Sequence, residues 1–109
     1  MLQAHTNQKL IGINMLLQKP MATGDVVSIK FINGEEIIAR LDEEGADTVT
    51  VTKPLTVSLG PQGLGMIPFL FLGAKDSITL KQSHILAMCP SKKDAADQYM
   101  QGTTGIALA

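Results

Sequence analysis

The chain has 109 residues, of which 45% are hydrophobic and only 4% aromatic, and its formal net charge is −1. A chain of this length forms one domain, and so few aromatic residues argue against a nucleic-acid platform that presents several rings in a row. The near-neutral charge argues against a strongly cationic nucleic-acid binder, although a local basic patch repeated on an oligomer would escape a count over the whole chain.

Cysteine content and hydropathy predict a cytoplasmic protein that does not enter a membrane. Cys89 is the only cysteine, so it cannot form an internal disulfide, which is typical of a reducing compartment. We expect this residue to be a small buried hydrophobe at a strand end. The longest apolar run, residues 66–72, is far shorter than the roughly 20 residues that cross a bilayer.

The chain divides into three predicted parts. Residues 1–20 are either an appended leader or an N-terminal helix, because leucine and isoleucine recur there at helical spacing. Residues 21–91 form the predicted β-domain. Residues 92–109 contain a predicted short helix up to about Gln101, followed by a disordered or extended tail.

The first half of the β-domain predicts three strands joined by two short turns. Asn33-Gly34 is the dipeptide that favours a type I′ hairpin, in which both central residues need a positive φ. The second turn lies within residues 42–46, where Gly45 is expected in the left-handed conformation. Apolar and polar residues alternate over residues 48–59, which is typical of a half-buried antiparallel strand.

The second half of the β-domain is less regular. Pro54 cannot donate to a strand ladder, so the third strand must bend, bulge or lie on an edge there. Residues 60–65 predict a loop, and the apolar residues 66–73 predict a strand buried on both faces, one of them by a second subunit. Two more short strands are predicted at residues 77–80 and 85–89. The pattern predicts an all-β fold, a small barrel or sandwich.

The residue pattern indicates no catalytic or metal site. His5 and His84 have no serine or cysteine at a recognised nucleophile spacing, and one cysteine with two distant histidines cannot complete a zinc shell. The acidic residues 42–44 could hold Mg²⁺, but a solvated turn is the commoner reason for such a run. We therefore predict a protein that is not an enzyme and takes no cofactor.

The order of these elements, together with two motifs, resembles the Sm and Sm-like (Hfq-type) superfamily. In the first Sm motif an apolar strand runs into Asn-Gly, and a small residue and a leucine follow. Here Asn33-Gly34, Ala39 and Leu41 take these places, with Ala39 in place of the usual second glycine. Residues 80–91 are similar to the second motif of the bacterial Sm-like RNA chaperone, in which a Lys-His turn precedes a strand that ends in Pro-Ser. The two patterns align when one inserted residue is allowed.

A closer likeness is to the Sm-like proteins of marine tailed phages (cyanophage-type). Their Gly-Glu-(Asp/Glu)-Ile-Ile-Ala signature corresponds to residues 34–39, and a Lys-Pro in the third strand corresponds to Lys53-Pro54. A tyrosine before a Gly-Ile tail corresponds to Tyr99 and Gly105-Ile106. The resemblance extends over residues 24–106, which is nearly the whole chain.

The resemblance implies a strongly bent five-stranded Sm-like (SH3-like) barrel with a possible N-terminal helix and a short C-terminal helix. Such barrels close into a homo-oligomeric ring of about five to seven subunits. Pairing of the apolar strand with the last strand of the neighbouring subunit would hide an edge that is prone to aggregation. The interface residues implied in this way are Met66, Phe69, Phe71, Ile85 and Ala87.

Family members bind single-stranded RNA at the ring pore through two turns, which correspond here to residues 42–47 and 81–84. Lys81 would contact phosphate, and the next three side chains would supply hydrogen bonds to base or sugar. Where the family has a stacking aromatic residue and an Asn or Gln in the first turn, this chain has two small residues and Asp47. The nucleic-acid-binding residues implied are Asp47, Lys81, Gln82, Ser83 and His84.

The predicted function is that of a ring-forming, phage-encoded Sm-like protein of the host cytoplasm that binds single-stranded nucleic acid, RNA or DNA, with RNA as the first expectation. It would act in RNA or DNA processing or in phage regulation, and repetition around the ring would raise the affinity of a modest site. The alternative is a phage structural or assembly module that binds a protein through its ring face or C-terminal tail. The missing aromatic residue and the negative net charge favour that alternative.

Overall fold

In the computed structural model, which describes residues 21–104, the chain forms an antiparallel β-sheet followed by one α-helix. The prediction of an all-β domain with a small helical element is confirmed at this level. The predictions for residues 1–20, including His5, and for residues 105–109 lie outside the described residues. The elements are β1 (Val26–Phe31), β2 (Glu36–Glu44), β3 (Thr48–Gly60), β4 (Gly63–Pro68), β5 (Ser77–Lys81), a 3-10 helix (Gln82–His84), β6 (Ile85–Pro90) and α1 (Lys93–Thr104).

The strands follow the order β4-β3-β2-β1-β6, and β5 also pairs with β3. Because β3 is 13 residues long, one of its edges carries both β5, beside residues 48–52, and β4, beside residues 55–60. β6 pairs with β1 at the opposite side of the sheet. The chain therefore passes from one edge of the sheet to the other through the 3 residues Gln82–His84.

The core comes mainly from alternate residues of β1, β2 and β3. Val27, Ile29 and Phe31 share one face of β1 and are buried, and Val49 and Val51 of β3 are fully buried as well. Burial of an aliphatic side chain of this size contributes roughly 1.5–3 kcal/mol. The remaining members of the cluster are Ile37, Ala39, Leu41 and Leu80.

The turn between β1 and β2 lies where it was predicted but has another geometry. Gly34 has φ +92°, whereas Asn33 does not have a positive φ. Gly34 N donates to Phe31 O at 2.9 Å, and Phe31 N donates to Glu35 O at 2.8 Å. This is a three-residue loop with a glycine bulge, not a type I′ turn. Asn33 Oδ1 accepts a hydrogen bond from Glu35 N at 2.9 Å, so the asparagine is held by its side chain and needs no left-handed backbone.

The turn between β2 and β3 spans residues 45–47. The prediction that Gly45 is left-handed is wrong, since its φ is not positive. Gly45 N donates to Thr48 O at 2.8 Å, and this bond closes the turn with an ordinary backbone conformation.

β3 bends at Lys53-Pro54, as the proline predicted. Lys53 is the only non-glycine residue within 21–104 with a positive φ, +49°. The pairing with β2 shifts at the same place, because Ile38 lies opposite Leu55 whereas Arg40 lies opposite Thr52. The extra residue in β3 is a β-bulge, which increases the local twist of the strand.

The helix α1 packs on this bend through Tyr99, which is 1% exposed. Its hydroxyl lies 2.9 Å from the carbonyl oxygens of both Thr52 and Lys53 and donates to them. Burial raises the pKa of Tyr99, while a backbone hydrogen bond and the positive charge of Arg40 lower it in part. Two segments singled out by the phage resemblance, Lys53-Pro54 and Tyr99, are therefore in direct contact.

The helix ends later than predicted, at Thr104 rather than near Gln101. Lys53 Nζ donates to Thr103 O at 2.9 Å, and a cation at a helix C-terminus satisfies a carbonyl group that has no partner within the helix. The Thr103 hydroxyl also donates to Tyr99 O at 2.8 Å. These contacts extend the last turn beyond Gly102.

The apolar segment 66–73 is not one strand, so that prediction is wrong. β3 and β4 form a hairpin in which Gly60 pairs with Gly63, and the left-handed Gly63, with φ +112°, allows the tight turn. β4 therefore begins within the predicted loop and ends at Pro68. Residues 69–76 form a loop instead. No helix within residues 21–104 is both long and apolar enough to cross a membrane.

Candidate nucleic-acid interface

The two turns that the resemblance assigns to RNA binding lie side by side. Thr48, the first residue of β3, is paired with Lys81, the last residue of β5. Gln82 N donates to Asp47 O at 2.9 Å, and Gln82 Nε2 donates to Gly45 O at 3.1 Å. Residues 45–47 and 81–84 thus form one continuous surface.

The backbone of the second turn is held from its other end as well. His84 O accepts a hydrogen bond from Ile32 N at 2.9 Å, which ties the 3-10 helix to the β1–β2 turn. The side chains of Lys81, Ser83 and His84 remain exposed. Because the backbone is already held in place, it loses little conformational entropy when a ligand binds to these side chains.

The five nucleic-acid-binding residues implied by the resemblance differ in the contacts that their side chains make within the chain. Lys81 forms no ion pair with any residue of the described range, so its ammonium group is open to an anion. Asp47 is exposed, and within the described part of the chain only its carbonyl oxygen accepts a hydrogen bond. Gln82 is half-buried, and its side-chain amide holds the first turn, so within the chain it positions the surface.

The charge around Lys81 is mixed. The first turn and the end of β2 carry the exposed carboxylates of Glu43, Glu44 and Asp47. Carboxylates near a phosphate site repel the ligand and lower its local concentration. Asp42, at the start of this run, instead accepts hydrogen bonds from the hydroxyl groups of Thr52 and Ser77, which is a structural role.

A cleft of about 490 Å³ opens next to Lys81 and His84. Its apolar base includes Phe31 and Phe69, whose rings stack with centroids 5.7 Å apart and planes inclined by 20°. Phe69 is half-buried, so part of an aromatic surface is accessible beside the candidate turn. The full lining is Phe31, Ile32, Asn33, Glu35, Phe69, Thr79, Leu80, Lys81 and His84.

No sequence pattern indicated this aromatic group, because Phe69 reaches the cleft from the loop 69–76. Phe69 N donates to Pro54 O at 3.0 Å, and Lys53 N donates to Asp76 O at 2.8 Å. Both ends of the loop are thereby fixed to the bend in β3. The only available signal was Pro54, which predicted the bend but not the path of the loop that it holds.

The residues implied for the oligomer interface occupy two kinds of position. Phe71 and Ala87 are exposed, whereas Met66, Phe69 and Ile85 are half-buried. Phe69 is engaged with Phe31 of its own chain. Leu70, Phe71 and Leu72 follow it with exposures of 49%, 73% and 98%. Within residues 21–104, the outer edges of β4, β5 and β6 have no partner strand.

The remaining chemistry-bearing residues form no further site. Cys89 is exposed, so the expectation of a buried thiol is wrong. The neighbouring Met88 packs against the core instead, and adjacent strand residues face opposite ways. Among the described residues, no three His, Cys, Asp or Glu side chains are grouped as a metal site would require.

Comparison with known proteins does not assign this chain to a family. No protein-family model and no curated protein matches it. The resemblance to Sm-like proteins therefore stays a prediction from the sequence motifs.

Proposed function

We propose that this chain is a ring-forming Sm-like protein that binds single-stranded nucleic acid, RNA or DNA, with RNA as the first ligand to test. The binding surface consists of residues 45–47 and 81–84. The observation that carries the proposal is the pair of hydrogen bonds from Gln82 to Asp47 O and Gly45 O. They join the two turns that Sm-like proteins use for RNA, although the turns are far apart in sequence.

The connection between β5 and β6 supports a closed barrel. In a flat sheet, the four strand spacings from β5 to β6 would span roughly 19 Å. The link is a 3-10 helix of 3 residues, and a helix of this type rises only about 2 Å per residue. So short a link favours a sheet that curls until its edges approach each other. We infer a bent five-stranded barrel of β1, β2, β3, β5 and β6, extended by β4.

Exposed apolar residues and free strand edges support the ring. A residue such as Leu72, 98% exposed, or Leu86, 70% exposed, gains free energy when a neighbouring copy covers it. The free edge of β6 can pair with the outer strand of the next subunit, and a closed ring leaves no such edge open. Each subunit then adds one Lys81 to the assembly, which raises the total affinity without new contacts.

A second candidate function is a protein-binding assembly module. It is favoured by the carboxylates of Glu43, Glu44 and Asp47 beside the only exposed cation of the surface, and by the exposed run from Leu70 to Leu72. Such a module would use the apolar run for a partner protein and would ignore nucleic acid.

Binding of a labelled single-stranded RNA at increasing salt, followed by fluorescence anisotropy, separates the two candidates. For the RNA binder, the log–log slope is about 0.7 per phosphate neutralised. Lys81→Ala should flatten the slope and weaken all sequences alike. Lys75→Ala removes the same charge from the exposed loop and serves as the control, with parental binding expected.

Parental affinity of Lys81→Ala would show that the turn is not the site. Failure of the parent to bind at low salt would support the assembly module instead.

A further inference from the structure

We propose that the cleft beside Lys81 binds a single guanine base, either one splayed out of a bound strand or that of a free guanine nucleotide. The strand-bound case rests on the proposed function, whereas the free nucleotide does not. The volume of the cleft, about 490 Å³, lies within the range of small-molecule pockets.

The base of the cleft offers a stacking surface. Phe31 and Leu80 are buried residues of its lining, and Phe69 is a half-buried one. The Phe69 ring is held by the hydrogen bond from its own backbone N to Pro54 O and by its stack on Phe31. Single-stranded bases bind proteins chiefly by stacking on such rings. A purine covers more of this surface than a pyrimidine.

Two polar side chains at the rim of the cleft indicate which base binds there. Glu35 Oε2 accepts a hydrogen bond from the Thr56 hydroxyl at 3.1 Å, while Oε1 has no partner within residues 21–104. Asn33 Oδ1 is used by Glu35 N at 2.9 Å, and no residue within 21–104 uses the amide NH₂ of Asn33, which can therefore donate to a ligand. Glu35 therefore presents acceptor capacity and Asn33 presents a donor.

This donor and acceptor set matches guanine. The N1–H and N2–H₂ groups of guanine are adjacent donors that a carboxylate can accept together, and O6 beside them can accept from Asn33. Adenine and cytosine place a ring acceptor next to their amino group, and uracil has one N–H between two carbonyl groups. Each of these three bases would place a lone pair against the carboxylate of Glu35 or leave one of its oxygens without a donor. Either outcome is costly in a partly buried site.

The rim also provides for the rest of the nucleotide. Lys81 and His84 are exposed at the edge of the cleft. An ammonium group there can form a charge-assisted hydrogen bond with the 5′-phosphate. Because Phe69 belongs to the cleft, Phe71 is left as the aromatic residue available to a neighbouring subunit.

The test is calorimetric titration of the intact protein with GMP, AMP, CMP and UMP, each as the 5′-monophosphate. We expect GMP to bind at least about fivefold more tightly than the others. Glu35→Gln should abolish this preference. The control Glu36→Gln makes the same change at a residue that pairs with Lys30 outside the cleft, and it should keep the preference.

Equal affinities for the four nucleotides, or identical behaviour of the two glutamine variants, would overturn the inference. A thermal melt of each variant checks folding. Ile32→Trp, at a residue that is 64% exposed on the rim, provides a second test because the indole should block the cleft and lower GMP affinity without a change in melting temperature.

The outcomes separate this inference from the proposed function. If the parent protein binds no RNA but still prefers GMP, the proposed function is refuted and the guanine cleft is not. RNA binding that depends on Lys81 but shows no selectivity for GMP or for guanine-containing strands would refute only the guanine cleft.

Discussion

Two regions of the sheet are equally rich in valine, leucine, isoleucine and phenylalanine but differ in how their side chains are covered. In the meander of β1, β2 and the first half of β3, apolar side chains such as Val27, Ile37 and Val51 are completely buried. Along β4 and the loop 69–76, Ile67 is 51% exposed and Leu72 is 98% exposed. The meander completes its core within one chain, whereas the outer region offers an apolar surface that a second molecule can cover.

The largest effect is expected inside the meander. Val51→Asp would bury a carboxylate among apolar side chains, where Val51 is 0% exposed. An unpaired buried charge costs several kcal/mol, a large part of the stability of a small domain. We expect no cooperative thermal transition by circular dichroism.

The control is Thr50→Asp, at the adjacent position on the other face of β3. Its cost should be within about 1 kcal/mol, as for most surface changes. A sharp transition in Val51→Asp would contradict the assignment of Val51 to the core.

The second effect concerns the outer region. Phe71→Lys places a charge at a side chain that is 73% exposed, so each subunit of the proposed ring should stay folded while the ring itself weakens. Loss of one aromatic anchor typically costs about 2 kcal/mol, which corresponds to a dissociation constant raised about 30-fold. Sedimentation velocity over a range of concentrations measures this shift. Leu59→Lys changes a similarly exposed residue outside the implied interface and should leave the mass unchanged.

A smaller effect is expected where the helix joins the two regions. Tyr99→Phe removes only the hydroxyl that donates to Thr52 O and Lys53 O. The loss of such a hydrogen bond should lower the free energy of unfolding by about 0.5–1.5 kcal/mol in urea denaturation. Gln101→Ala, on an exposed position of the same helix, should change it by less. Equal stability of Tyr99→Phe and the parent would show that the contacts of the Tyr99 hydroxyl with the bend in β3 do not contribute to the free energy of unfolding.

The smallest effect is a dependence on alkaline pH. Burial raises the pKa of Tyr99, so the folded state keeps the hydroxyl neutral where the unfolded chain, near pH 10, ionises it. The resulting stability is complete below the unfolded pKa and is lost as the pH rises through the folded one. The stability difference between the parent and Tyr99→Phe should therefore shrink above about pH 10. Parallel curves would mean that the hydroxyl titrates alike in both states.

Local patterns predicted the meander well because its contacts follow strand alternation. The position of β3 and the position of the β1–β2 turn are as expected. The type of that turn differs from the prediction, because Asn33 is held by its side chain and does not adopt the left-handed backbone conformation of a type I′ turn. The apolar run 66–73 was misassigned because the pairing of Gly60 with Gly63 draws the start of β4 into a segment whose composition indicates a loop.

The candidate site was predictable only in part. The positions of the two turns follow from the motifs, and their contact through Gln82 is seen only in the structure. The cleft was not predictable, because Phe69 depends on a loop that is fixed to the bend at Lys53-Pro54. That contact is set by tertiary structure and leaves no periodic signal near Phe69 itself.

The most direct test of a ring that carries repeated Lys81 sites is native mass spectrometry of the parent protein with a short single-stranded RNA at low salt. The account predicts a closed assembly of about five to seven copies with a strand bound, and the same assembly without RNA for Lys81→Ala. A monomer at micromolar concentration with no strand bound would contradict it.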